Sequence, residues 1–290
     1  MSFTLKFVVV LIAGLVAAVI VAPLTAMAVA AAGFHFPFPR IFDRVVMVAS
    51  FGAMIVGARS LKLGQLLGAG FARPSVNAIR ALRGFAVASA ALAILFAAGA
   101  ALGGEAAPSL ATIAAKLPGY IVSAIFIVII EEGFFRAFLL GGMSGDFGAT
   151  GALLVSSAVY AFAHLVRAPA HFYVTGFDAT AGLRTLGASM AQLADPATAI
   201  PSMLGLFLLG LVLGGAFLLT RTVYFSMGLH AGLVIGQKLW PKIFAARAAL
   251  PHWLSGYGNL PLISGAAAWA LTIAILVMIR PLSGSRRSAV

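Results

Sequence analysis

The stretch IVIIEEGFFRAFLL, residues 127–140, places two adjacent glutamates inside an otherwise apolar run. This run extends over residues 117–142 and is long enough for a membrane helix, which needs roughly 20 residues to cross a bilayer. An ionisable side chain at that depth is energetically costly, so it marks a candidate functional site. The stretch therefore predicts a membrane helix that carries reactive groups.

The composition of the whole chain agrees with this prediction. Of the 290 residues, 62% are hydrophobic and 9% are charged, whereas soluble domains are roughly 45–50% apolar and about 25% charged. So few charges cannot cover a water-facing surface, which excludes a soluble enzyme, a disordered chain and a nucleic-acid-binding protein. The net charge of +12 is typical of basic residues that anchor helix ends in lipid headgroups. The chain has no cysteine, so it forms no disulfide.

Seven further apolar runs are long enough, or nearly so, to form membrane helices. Together they predict an all-α, polytopic integral-membrane bundle of about eight transmembrane helices. The predicted spans are residues 7–33, 44–56 (or to 61), 84–103, 117–142, 149–166, 201–220, 222–240 and 261–279. We expect residues 1–290 to form a single membrane domain.

The remaining segments are more polar. Residues 60–83 are predicted to be a basic connector with a short interfacial helix at 63–71. Residues 166–200 are predicted to be a loop with one interfacial helix, and residues 283–290 a basic tail. Because basic residues concentrate on the cytoplasmic side, these segments favour cytoplasmic termini. The composition, rich in alanine and glycine, favours the inner membrane of a bacterium as the location.

The two glutamates are predicted to have different roles. Glu132 and Arg136 are four residues apart, in the order that favours an ion pair on a helix. Arginine can hold a carboxylate with two hydrogen bonds, so this pair is expected to shape the site. Glu131 points about 100° away and has no basic residue one turn along, which makes it the candidate general base. Alternatively, both glutamates only tie helices together.

Two histidines, His164 and His230, also lie in predicted membrane helices. Tyr160 precedes His164 by one helical turn, and small residues around His230 permit close helix approach or leave room for substrate. A glutamate pair with two deep histidines is a minimum set for activating a water. The chemistry is either metal-assisted, with Glu131, His164 and His230 as ligands of one divalent ion such as zinc, or metal-free.

Three motifs follow one another along the chain: Glu131 to Arg136 reads E-E-x-x-x-R, Tyr160 to His164 reads Y-x-x-x-H, and His230 to Val234 reads H-x-x-x-V. This order resembles the CPBP intramembrane proteases, which include type II CAAX prenyl endopeptidases and bacteriocin-processing or immunity proteins. The family has Phe at the position of Tyr160 and Asn or Asp at that of Val234. The resemblance covers residues 117–240, which are therefore the expected catalytic core.

The resemblance implies a role for each residue of these motifs. Glu131 and His164 would activate the attacking water, and His230 would stabilise the oxyanion. Valine at position 234 cannot donate a hydrogen bond, and losing one oxyanion donor typically costs about 10²–10³ in rate. Ser226, one turn before His230, and Gln237, two turns after it, are candidate replacements.

These observations predict an intramembrane endopeptidase. Its partners would be a membrane-anchored peptide or protein, lipidated or transmembrane, and the lipid bilayer. Two alternatives remain open. Val234 favours a catalytically weak or inactive family member that acts as a membrane scaffold or immunity factor. The intramembrane Glu and His residues would also suit a transporter or proton relay, but the sequence shows no internal repeat of the kind that transporters have.

Overall fold

The computed structural model describes residues 1–102, 110–166, 174, 177–244, 250–257 and 260–283. Every regular element within these residues is a helix, which confirms the all-α prediction. The α-helices are α1 (Phe3–Ala31), α2 (Phe38–Val56), α3 (Leu63–Gly70), α4 (Pro74–Ala101), α5 (Leu110–Glu132), α6 (Gly141–Leu165), α7 (Ala181–Ser189), α8 (Pro196–Thr220), α9 (Tyr224–Ile243), α10 (His252–Ser255), α11 (Ala266–Val277) and α12 (Ile279–Ser283). A π-helix (Gly133–Leu140) joins α5 to α6, and a 3₁₀-helix (Ala191–Ala194) follows α7.

Among the residues that the structure describes, four helical segments are long and apolar enough to cross a membrane: Phe3–Ala31, Pro74–Ala101, Ile113–Leu165 and Pro196–Thr220. The expected count of about eight spans is therefore not confirmed. One reason is that the spans predicted at 117–142 and 149–166 belong to a single helical run of 53 residues. Gly148 kinks this run with φ 67° and ψ 172°, a backbone conformation that glycine adopts readily because it lacks a Cβ.

The chain divides into two compact units, and the single membrane domain stays a prediction. The first unit comprises Met1–Gly64 and His164–Pro196, and the second comprises Gln65–Ala163 and Ala197–Val290. Within the first unit, α1 and α2 form an antiparallel pair. The Lys6 ammonium donates to the carbonyl of Ser60 at 3.3 Å at one end of the pair. Ala22 packs against Phe38 and Phe42 towards the other end.

The segment predicted as a loop with one short helix contains α7. Asp178 precedes this helix and accepts hydrogen bonds from the amide and hydroxyl of Thr180, at 2.9 and 2.7 Å. Arg184 forms an ion pair with the same carboxylate. The hydrogen bonds from Thr180, reinforced by Arg184, hold the pKa of Asp178 below its ordinary value. The ionised carboxylate therefore fixes the start of α7.

In the second unit, α4 and α9 pack in parallel along a row of glycines spaced by four residues. Gly228, Gly232 and Gly236 of α9 face Ala81, Ala88 and Leu92 of α4 respectively. Small residues at this spacing let two helix backbones approach closely in a membrane. His230 lies between the first two glycines, so this packing fixes its depth and direction. The expectation that small residues around His230 permit close helix approach is confirmed.

Replacing Gly228 by alanine is expected to destabilise the α4–α9 pair by about 1–3 kcal/mol, the usual cost of overpacking. A Cβ at this position would overlap the carbonyl oxygen of Ala81. Thermal unfolding in detergent measures the effect. Gly119→Ala is the matched control, because a Cβ there meets nothing within 4 Å. Equal melting temperatures for both variants would show that the close approach does not matter.

The basic connector is shorter than predicted. The expected helix at 63–71 is present as α3, but α4 begins at Pro74, about ten residues before the predicted start of that span. Arg80 and Arg83 therefore lie on α4, where Arg80 donates to the side chain of Asn77 at 2.7 Å. Proline at the first turn has no amide hydrogen to leave unpaired, which suits a helix start. Apart from Ser283, the predicted basic tail lies outside the described residues.

Candidate active site

The π-helix lies directly after the two glutamates. It begins at Gly133 and contains Arg136, and most of its side chains are buried. Gly133 sits against the ring of Phe71, where a Cβ would come within 3.3 Å. Short π-helical segments interrupt α-helices most often at functional sites. The apolar run at residues 117–142 predicts an unbroken α-helix, so the sequence does not indicate the π-helix.

The structure contains the Glu132–Arg136 ion pair that the spacing predicts. Arg136 Nη1 lies 3.3 Å from Glu132 Oε1, with side-chain exposures of 3% and 0%. The guanidinium also stacks on Tyr160, with its central carbon 4.4 Å from the ring centroid. Stacking and pairing together immobilise Arg136, which in turn fixes one oxygen of Glu132.

The imidazole of His230 lies between the two glutamates. Its Nδ1 is 2.8 Å from Oε1 of Glu132, and its Nε2 is 3.8 Å from Oε2 of Glu131. The contact with Glu132 joins residues 98 positions apart, so no local spacing in the sequence could have predicted it. The sequence placed His230 in the site but did not identify Glu132 as its partner.

These distances assign different environments to the two carboxylates. An ionised carboxylate only accepts hydrogen bonds, so the Nδ1–H of His230 donates to Glu132. The 3.8 Å between Nε2 of His230 and Oε2 of Glu131 is too long for a direct hydrogen bond. The Glu131 side chain is 26% exposed, whereas the Glu132 side chain is wholly buried. Glu131 is therefore the more accessible of the two carboxylates, although its Oε2 atom is buried.

Tyr160, predicted to shape the site, closes one side of it. Its ring is buried and meets the His230 ring edge-on, with centroids 6.3 Å apart and planes at 79°. It meets Phe135 of the π-helix in the same way, at 5.0 Å. These contacts hold the imidazole plane in place.

The other predicted residues lie at various distances from this cluster. Ser226 is buried, donates to the carbonyl of Val223 at 2.9 Å and lies close to Glu132. Gln237 instead lines a separate, mostly apolar cavity of about 50 Å³ beside Leu92. His164 is the penultimate residue of α6 and belongs to the first unit. Its role remains a prediction.

The described residues of the second unit do not supply a complete set of zinc ligands. A catalytic zinc site usually has three protein ligands, but no group of three or more His, Asp or Glu side chains converges on one point in the described part of the chain. Glu131 and His230 offer only two facing ligand atoms, and the second ring nitrogen of His230 is already bonded to Glu132.

The long apolar helices indicate an integral-membrane protein, and its second unit contains a buried cluster of ionisable side chains. Residues 113–235 match the family model described as type II CAAX prenyl endopeptidase Rce1-like. This region therefore belongs to the CPBP, or CAAX protease, family, as the three motifs indicated. The matched region contains Glu131, Glu132, Arg136, Tyr160, His164 and His230.

The family is one of proteases that act in membranes. A search of curated proteins finds no match to the chain, and a search of solved structures finds none either.

Proposed function

We propose that this protein is an intramembrane endopeptidase that hydrolyses a peptide bond with Glu131 as general base and His230 as oxyanion donor. The observation that carries the proposal is the position of the His230 ring, 2.8 Å from Glu132 and 3.8 Å from Glu131. The carboxylate of Glu132 orients the imidazole, and the opposite nitrogen faces the more exposed glutamate. A carboxylate and an oriented imidazole beside it are groups that can activate a water for hydrolysis.

These positions support the following reaction, in which His230 carries a proton on both ring nitrogens. A water beside Glu131 gives a proton to that carboxylate, and its oxygen forms a bond to the carbonyl carbon of the substrate. The carbonyl oxygen gains negative charge and accepts a hydrogen bond from Nε2–H of His230. The C–N bond then breaks as the protonated Glu131 returns its proton to the leaving nitrogen. Peptide and water thus become one carboxyl and one amino terminus.

His164 keeps its predicted role as the second residue that activates the water. The role rests on the family motif alone. His164→Ala should lower the rate constant of hydrolysis, and rescue by added imidazole would support a part in proton transfer.

An apolar groove beside the cluster supports a membrane-associated substrate. The groove has a volume of about 490 Å³ and is open on one side. Its wall includes Ile125 and Val128 of α5 and Met227, Gly228 and Ala231 of α9. Ala231 follows His230 on α9, but the residues that line the groove do not include those of the cluster. A lipidated or transmembrane peptide has the surface that such a wall binds.

Quantitative proteomics of membrane peptides tests the proposed activity in cells. Cells that produce the wild-type protein are compared with cells that produce Glu131→Gln or, as a control, Asp195→Asn, which removes an exposed carboxylate. We expect a shortened membrane-bound product to be lost only with Glu131→Gln. Identical peptide sets in all three strains would refute the protease proposal.

Restoring a hydrogen-bond donor at Val234 is expected to increase activity. Asn at this position would supply the second oxyanion donor that the family motif has, and one such donor is worth about 10²–10³ in rate. Val234→Asn should therefore raise kcat at least tenfold with little change in KM. Val234→Leu is the control of similar size without a donor. No gain with Asn would show that another group already supplies this interaction.

A second candidate function is a membrane scaffold or immunity factor with little turnover. Val234 favours it, because valine leaves the oxyanion with one donor fewer. This function requires the bundle but not the general base. A phenotype that Glu131→Gln retains in full, together with a purified protein that cleaves nothing, would favour it over the protease.

A further inference from the structure

A second apolar groove lies in the first unit and has no part in the proposed reaction. Its volume is about 610 Å³, within the roughly 300–1,000 Å³ of small-molecule sites. It runs between the C-terminal third of α1 and the N-terminal part of α2. Its walls are mostly aliphatic and include Val21, Val29, Ile41, Val45 and Val48.

Two arginines line this groove at one end. Arg40 and Arg44 are one helical turn apart on α2, and both side chains are exposed. The guanidinium carbon of Arg40 lies 5.9 Å from the ring centroid of Phe36, and Nη1 of Arg44 lies 3.6 Å from the sulfur of Met47. Asp43 attracts Arg44 but does not line the groove. The two guanidiniums therefore give this end a net positive charge.

Arg40 and Arg44 lie near the end of a candidate membrane span, at the level expected for the lipid headgroups. Helix α1 is one of the candidate membrane spans, and it ends at Ala31. Since α2 runs antiparallel to α1, Arg40 and Arg44 lie near that end of the span, and Ala49 lies further along it. A phosphate held by the arginines would sit at headgroup level, while the groove continues into the hydrocarbon. Basic residues at this level attract anionic lipids.

We propose that the groove binds one anionic phospholipid of the surrounding bilayer. Its phosphate lies between Arg40 and Arg44, because paired guanidiniums match the geometry of phosphate oxygens. One acyl chain lies along the aliphatic wall towards Ala49. The occupant combines a negative headgroup with a long apolar chain because the groove combines a positive end with an apolar length.

Lipid binding to the purified full-length protein tests this site. Native mass spectrometry and thermal unfolding are measured in a neutral detergent with added phosphatidylglycerol, with phosphatidylcholine of the same chains, or with inorganic phosphate. We expect phosphatidylglycerol to bind at least tenfold more tightly than phosphatidylcholine and to raise Tm, and phosphate alone to have no effect. Binding of phosphatidylglycerol should fall roughly tenfold or more in Arg40→Gln/Arg44→Gln.

Two further variants separate the parts of the site. Arg59→Gln removes an exposed arginine outside the groove and should leave lipid binding unchanged. Ala49→Phe keeps both arginines but fills the apolar end, so it should weaken binding of the whole lipid. Equal binding of both lipids, or unchanged binding in the double arginine variant, would overturn the proposal. A response to phosphate alone would also overturn it, because the ligand would then be a free anion.

Discussion

Glu131→Gln is expected to lower the rate of peptide-bond hydrolysis by about 10²–10⁴-fold, the range that general acid–base catalysis contributes. The amide has the size of the carboxylate but cannot take a proton from water at neutral pH. The His230–Glu132 hydrogen bond at 2.8 Å does not involve the changed residue, so the imidazole should keep its orientation. A single-turnover assay of the purified protein, with a membrane-anchored peptide found by proteomics, measures the chemical step directly.

The stability of this variant provides the control. Glu131 is 26% exposed, so neutralising it should change the melting temperature little. A variant that melts like the wild type and has lost the reaction identifies Glu131 as a reacting group. A variant that cleaves at the full rate would contradict the proposed mechanism, because another base would then be sufficient.

Glu132→Gln is expected to destabilise the protein by about 3–5 kcal/mol, the usual cost of removing one partner from a buried ion pair. Its carboxylate faces Arg136 at 3.3 Å and His230 at 2.8 Å, and its side chain has no exposure. Removing its charge leaves a buried guanidinium without its counter-charge. The activity should fall as well, because His230 loses the group that orients it. Unfolding in detergent and the hydrolysis rate are the two readouts.

The double variant Glu132→Gln/Arg136→Met separates the stability lost through the unpaired charge from the stability lost through changed packing. It removes both charges of the pair, so most of the lost stability should return, while the activity should stay low. Asp178→Asn with Arg184→Gln is the matched control, because this ion pair is largely exposed and contributes little. If the double variant is no more stable than Glu132→Gln alone, the ion pair does not account for the loss.

The parts of the site that could be predicted from the sequence are those set by local geometry. The Glu132–Arg136 pair follows from a spacing of four residues on a helix. The importance of Glu131 and His230 follows from the cost of placing ionisable groups in an apolar run. Both arguments use only residues that lie close together in the sequence. The family motifs added the order in which the motif-bearing helices follow one another along the chain.

Other parts depend on contacts between distant segments. Glu132 of α5 and His230 of α9 meet because these two helices pack against each other, and this contact has no signature in the spacing of the two residues. The ends of the membrane spans also could not be predicted from the sequence. The polar residues 143–148 read as a loop between two helices, but the structure continues them as helix to the kink at Gly148. Apolar length alone could not distinguish these alternatives.

The π-helix at 133–140 has a consequence for how the chain tolerates insertions and deletions. A π-turn closes its hydrogen bonds over five residues rather than four, so it holds one residue more than an α-turn. Deleting one residue between Gly133 and Leu140 would allow ordinary α-helical winding and would leave the following turns close to their present direction, because the wide turns accommodate that residue. Deleting one residue from the α-helical part of α5 would instead rotate the turns that follow by about 100°.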